Sequence, residues 1–175
     1  NHRPQMGSVR PNVFKKPDRI ADSWGRIQLE QFDLKPEDIR TKRLDFIPFS
    51  KSGYNIQEAD IIVAGGRGMG SKENFDKLYE LADAIGGVVG ATRPLVEKGW
   101  IELPYQVGQT GKTVSPKLYL AFGISGAIQH VSGISGADTI VAINNDPKAE
   151  IFQHANYGIV GDCMEVLNDM LAHLK

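Results

Sequence analysis

The sequence predicts an α/β protein built on a doubly wound parallel sheet over residues 59–175, preceded by an extended arm or strand segment. Three observations carry this. From residue 60 onward, short apolar runs alternate with segments of helical pattern, the order expected of successive β–α–β units. The runs DIIVA (60–64), LYLAF (118–122) and TIVAI (139–143) are continuously apolar rather than alternating, as strands covered on both faces require. The first two run directly into glycines, Gly65 and Gly123, the usual start of a βα turn. Together these describe a Rossmann-like sheet, in which ligands bind outside the carboxyl ends of the strands.

The elements follow in order. Residues 1–19 carry Arg3, Arg10, Lys15, Lys16 and Arg19 against Asp18, with Pro4, Pro11 and Pro17, so a solvated, non-helical arm is expected. Residues 26–34 and 44–49 read as β-like segments around a turn at 35–38, and a boundary is expected near Ala59. After the 60–64 strand, residues 71–85 place Phe75, Leu78, Tyr79, Ala82 and Ile85 on one helical stripe, stopped by Gly86 and Gly87. A strand begins at Val88, and 94–98 is a short helix. The 118–122 strand leads to a helix opening over 127–131, and the 139–143 strand to a short helix at 151–154. Residues 157–160 are the last strand and 163–174 the last helix.

Composition narrows the function classes. Lys plus Arg is 20 and Asp plus Glu 21, a net charge of −1, which argues against nucleic-acid binding. The longest apolar runs are far too short to span a bilayer, so no direct membrane insertion is expected. Cys163 is the single cysteine, which excludes a disulfide framework and a cysteine zinc site. The four histidines show no metal-ligand spacing. Nineteen glycines against nine prolines suggest backbone shaped around a ligand.

The motifs are near misses of common signatures. Residues 65–71 (GGRGMGS) sit between strand and helix, but Ser71 stands where a dinucleotide fingerprint has its third glycine. Residues 108–113 (GQTGKT) end like a P-loop, but Gln106 stands where its first glycine belongs. Gly123-Ile-Ser-Gly126 lacks the glycine two residues after serine that a nucleophile elbow needs. Followed by a helix start, this turn is the strongest anion-binding candidate, since glycines permit close approach and free helix N–H groups receive phosphate. A plain tight βα turn has the same sequence. His130, one turn into that helix, gains functional weight from its place beside the turn.

Residues 116–130 (PKLYLAFGISGAIQH) followed by 140–147 (IVAINNDP) resemble the signature of the electron transfer flavoprotein α subunit. Residues 65–68 (GGRG), 90–93 (GATR), 106–112 (QVGQTGK) and 157–162 (YGIVGD) match in the same order, so the resemblance covers essentially 59–175. Residues 3–11 (RPQMGSVRP) resemble the end of the preceding α-subunit domain. The resemblance therefore implies that 1–58 are the end of a truncated preceding domain plus a linker, and 59–175 the FAD-binding domain. It implies a non-enzymatic electron carrier, paired with a β subunit, that takes electrons from acyl-CoA-type or other flavin dehydrogenases. The setting would be the bacterial cytoplasm, or the mitochondrial matrix in a eukaryote. An NAD-binding enzyme domain on a related sheet is the alternative.

The resemblance also assigns roles. Arg67 would lie against the flavin ring, and the hydroxyl of Thr92 would bond the cofactor. Val107, Gly108, Gln109 and Thr110 would form the loop beside the flavin, with Thr110 near N5. Ser125, Gly126, Ala127, Ile128, Gln129 and His130 would hold the pyrophosphate and bring the histidine to the flavin carbonyl O2. Asn144 and Asp162 would hold the adenosine half. Glu150 and Asn156 depart from the residues usual in relatives, both beside that end. Such a carrier needs no general base or nucleophile. It needs a cation and a hydrogen-bond donor where negative charge develops, which suits Arg67 and His130.

Overall fold

The computed structural model describes residues 3–9, 14, 18–21, 24–45 and 55–174. Five strands form one all-parallel sheet: β1 (Ile61–Gly65), β2 (Val88–Ala91), β3 (Leu118–Phe122), β4 (Thr139–Asn144) and β5 (Tyr157–Val160). Their spatial order is 2-1-3-4-5. The chain winds outward in one direction to β2 and in the other through β3, β4 and β5. The reversal lies between β1 and β3, whose register pairs Val63 with Leu120 and Gly65 with Phe122.

The continuous apolar runs are explained by two cores. Val63, Leu120, Phe122 and Ile143 face one way, onto α1 (Lys72–Ile85) and α4 (Cys163–Leu174). Ile62, Ala64, Tyr119, Ala121 and Ala142 face the other, where Ile56, Val107, Val114, Ile134 and Ile151 cover them. The second face is closed mainly by loops and single turns rather than long helices. Ile56 belongs to that core, so the packed unit begins slightly before the expected boundary at Ala59.

Helix α1 starts and stops as its sequence requires. Ser71 Oγ accepts the Asn74 N–H at 3.2 Å, and Gly86 closes the helix in the left-handed region at φ 70°. Its buried stripe is Phe75, Leu78, Leu81 and Ala82. Tyr79, expected on it, is 42% exposed and meets Phe75 edge to face instead. Leu81 takes the inward place because the sheet and α4 together widen the buried arc beyond one stripe.

Two other expectations change. Residues 26–34 are extended but pair with no strand among the described residues, and Ile27, Leu29, Phe32 and Leu34 are exposed. The turn expected at 35–38 is a 3-10 turn, Pro36–Asp38. Of 44–49 only Leu44 and Asp45 are described, and several charges of the basic arm also lie outside the described residues. Strand β5 is exposed along its whole length, unlike the other four. It is the edge strand, and α4 lies over β4 and α1 rather than over it.

Candidate functional site

A cleft of about 660 Å³ opens at the carboxyl ends of β1, β2, β3 and β4, over the β1/β3 reversal point. Its floor is two loops in backbone contact. The Gly66 N–H donates to the Phe122 carbonyl at 2.8 Å, and the Gly68 N–H to the Gly123 carbonyl at 2.9 Å. A Cβ on Gly123, at φ 61°, would lie 2.7 Å from the Gly68 backbone. These glycines therefore let two loops touch, a stricter demand than approach to a ligand alone.

The third wall is the loop after β2. Val107 N–H donates to the Ala91 carbonyl at 2.9 Å, and Gln109 N–H to the Gln129 carbonyl at 2.6 Å. The buried Gln106 amide donates to Thr110 Oγ1 at 3.0 Å. With that oxygen accepting from Gln106, the Thr110 hydroxyl hydrogen remains to be donated elsewhere.

The turn after β3 leads into α3 (Ile128–Val131), a single turn capped by Ala127 without a side-chain bond. So short a helix has little macrodipole, and any anion binding must rely on its first free N–H groups and on the loop. Gly126, at φ 93°, would place a Cβ on the Ile151 amide nitrogen, and that amide donates to the Ser125 carbonyl at 3.0 Å. Asn144, buried at the end of β4, donates to the Ile124 carbonyl and accepts from the Asp146 N–H, both at 2.9 Å.

His130 is 6% exposed and both its ring nitrogens have partners. Nδ1 lies 3.1 Å from the Val107 carbonyl, which can only accept, so Nδ1 carries the hydrogen. Burial pushes the imidazole down to about 4, so it is neutral at pH 7; the Val107 bond opposes this less strongly. Nε2 is then an acceptor, and Tyr119 O–H donates to it at 3.0 Å. His130 was expected as a donor into the cleft. It is a cleft-lining neutral ring whose single N–H is committed to Val107.

This has a consequence for stability. The folded pKa lies below the unfolded one, so neutral His130 favours the fold above pH ~6.5, and that contribution is lost as pH falls from there through about 4. At full loss it amounts to about 3 kcal/mol. Urea unfolding of wild type should therefore weaken between pH 7 and pH ~4 by about 2–3 kcal/mol more than that of His130→Gln. Parallel pH curves for the two proteins would show that His130 is not buried neutral.

The cleft brings together Arg67, Thr92, Val107, Gly108, Thr110, Ser125, Gly126, Ala127, Gln129, His130 and Asn144. Gln109 and Ile128 belong to the same loops, but their side chains are exposed outside it. Asp162 is also outside, its carboxylate capping α4 through the N–H groups of Met164 and Glu165 at 2.7 and 3.2 Å. The cleft adds Arg93 and Glu97 of α2 (Arg93–Glu97), an ion pair at 2.8 Å. Sequence reasoning missed both. The signal was available, because Arg93 follows the carboxyl end of β2 as Arg67 follows that of β1. Two arginines, one carboxylate already paired, three hydroxyls and backbone N–H groups form a donor set suited to an anionic ligand. No helix among the described residues is long and apolar enough to cross a membrane.

Comparison with known proteins gives the ligand class. Residues 55–135 match a family model described as the electron transfer flavoprotein FAD-binding domain. The chain is 53% identical over 174 residues to "Protein FixB" of Clostridium saccharobutylicum, covering 99% of the chain and 52% of that protein. It is 52% identical over 173 residues to the electron transfer flavoprotein subunit alpha of Thermoanaerobacterium thermosaccharolyticum, with the same coverages. It is 51% identical over 169 residues to that of Megasphaera elsdenii, covering 95% of the chain and 50% of the relative. The chain thus spans about half the length of the relatives it matches. It belongs to the electron transfer flavoprotein α-subunit family and carries that family's FAD-binding domain.

Proposed function

We propose that the cleft holds FAD and that the protein of which this chain is part is an electron carrier. One observation supports this most: four separate loops, each expected to touch the cofactor, converge on one crevice whose donor set suits an anion. The flavin end lies among Arg67, Thr92, Val107, Gly108, Gln109 and Thr110. Ser125 through Gln129 face the pyrophosphate with hydroxyl and backbone N–H groups, and His130, whose backbone N–H donates to the Ala127 carbonyl, lines the wall with its ring. Asn144 serves the adenosine end, and Asp162, outside the cleft, stands beside it after Gly161, whose N–H donates to the Asn144 carbonyl. The bound flavin supplies one- and two-electron redox chemistry; the chain's residues bind it, orient it and set the field around it. Residues 59–175 act as the FAD-binding domain, with 1–58 as the end of a preceding domain and linker. A β subunit completes the carrier, acyl-CoA-type or other flavin dehydrogenases feed it, and the bacterial relatives favour a cytoplasmic setting.

The test is an FAD titration of the chain and of Ser125→Asp. Wild type should turn yellow, with a band near ~450 nm that belongs to the cofactor. The aspartate puts a carboxylate where phosphate is expected, and should weaken binding about 5- to 150-fold, or 1–3 kcal/mol. Ser125→Asn, neutral and of similar shape, should lose far less. Equal FAD affinity in folded wild type and Ser125→Asp would place the phosphates elsewhere.

A further inference from the structure

Tyr119 is the largest fully buried side chain in the second core and is the second residue of β3, among apolar strand neighbours. Its hydroxyl needs a partner there, and the partner is His130 Nε2 at 3.0 Å. The other ring nitrogen faces a carbonyl that can only accept. The two partners therefore differ. Val107 takes a hydrogen from Nδ1 whatever the charge of the ring. Tyr119 can donate to a bare Nε2 or, after rotation of its O–H, accept from a protonated one.

From this geometry, and resting on the FAD reading above, we propose that Tyr119 and His130 form a proton-accepting pair in the wall of the cleft. Negative charge entering the cleft raises the proton affinity of Nε2; below the raised midpoint one proton from solvent adds to Nε2, His130 becomes the imidazolium, and the Tyr119 hydroxyl turns from donor to acceptor. No bond between heavy atoms forms or breaks, no heavy atom has to move, and the pair exchanges no electron. Tyr119 is the positioning residue: it gives the ring a hydrogen-bond partner in both charge states. Burial holds the ring neutral until such charge arrives, since His130 stands at about 4 with desolvation as the main cause. The charged groups sharing the cleft are Arg67 after β1 and the Arg93–Glu97 pair of α2; from β3 only the Tyr119 hydroxyl meets the ring, and from the 106–112 loop the Val107 carbonyl. Tyr119 itself keeps its proton, because burial drives its pKa upward.

The experiment follows the His130 ring nitrogens by 15N NMR as a function of pH, with FAD oxidised and after two-electron reduction, in wild type and Tyr119→Phe. In wild type, reduction should raise the proton affinity of His130 at least about tenfold, one pH unit in its midpoint. In Tyr119→Phe the imidazolium loses its acceptor, and hydrogen bonds to charged groups are the stronger ones, so proton affinity should fall about 3- to 10-fold in the reduced protein. The same direction is expected in FAD-free protein. A wild-type midpoint unmoved by reduction overturns the proposal, as does a Phe variant that titrates like wild type. Failure of wild type to bind FAD overturns the FAD reading instead. The FAD-free titration then decides alone: a lowered midpoint in Tyr119→Phe upholds the pair, and an unchanged one overturns it.

Discussion

Gly126→Ala is expected to destabilise the chain by about 2–5 kcal/mol, against about 1–2 kcal/mol for Gly86→Ala. Both glycines have positive φ, 93° and 70°, so both variants bear the strain of an L-residue in that region. They differ in what a methyl group would meet. Nothing lies within 4 Å at Gly86, whereas at Gly126 the new carbon falls on the backbone nitrogen of Ile151. That nitrogen is held by its bond to the Ser125 carbonyl, and Ile151 is fully buried, so the segment after β4 cannot step aside cheaply. The loss is a large share of an ordinary domain's stability of about 5–15 kcal/mol. Urea denaturation followed by circular dichroism gives both values. If the Gly126 variant costs no more than the Gly86 variant, the two loops do not cross as described and the wall of the cleft is placed wrongly.

Gly126 also illustrates what sequence could and could not convey. The strands were legible because burial on both faces leaves an unbroken apolar run, and β1, β3 and β4 have such runs. The same reasoning misled at β5, where Tyr157, Ile159 and Val160 form a similar run on an exposed edge. A run of apolar residues reports β-propensity, and which strand ends the sheet is decided by non-local topology. At the cleft, the glycines marked the right turns for an incomplete reason. Gly66, Gly68 and Gly123 meet one another's backbone, a contact between segments more than fifty residues apart that no local pattern encodes. His130 was legible as a position but not as a chemical state. Its neutrality comes from burial, and its hydrogen-bond roles from Val107 and Tyr119, brought to it by other elements. Tyr119 read as an ordinary strand residue for the same reason.

Arg67→Ala should lower the first-electron potential of bound FAD by roughly 40–170 mV. Arg67 follows β1 at the reversal point and lines the cleft, and no carboxylate pairs with it among the described residues. Its charge is permanent at any working pH, so its field acts equally on every state of the ligand, and favours the one that is more negative. A unit charge a few ångströms away contributes about 1 kcal/mol in water and about 4 kcal/mol near a protein surface. For one electron, 59 mV is a tenfold change, which gives the stated range. His130 provides the comparison within the same cleft. Neutral and with its N–H committed to Val107, it supplies no fixed charge at alkaline pH, so His130→Ala should shift the potential less there. Lysine at position 67 keeps the charge but loses the planar fork, and should restore part of the loss. Spectroelectrochemical titration of the three FAD-loaded variants at alkaline pH separates these effects. A potential within about 10 mV of wild type in Arg67→Ala, a coupling below roughly 0.3 kcal/mol, would remove Arg67 from the flavin end of the cleft.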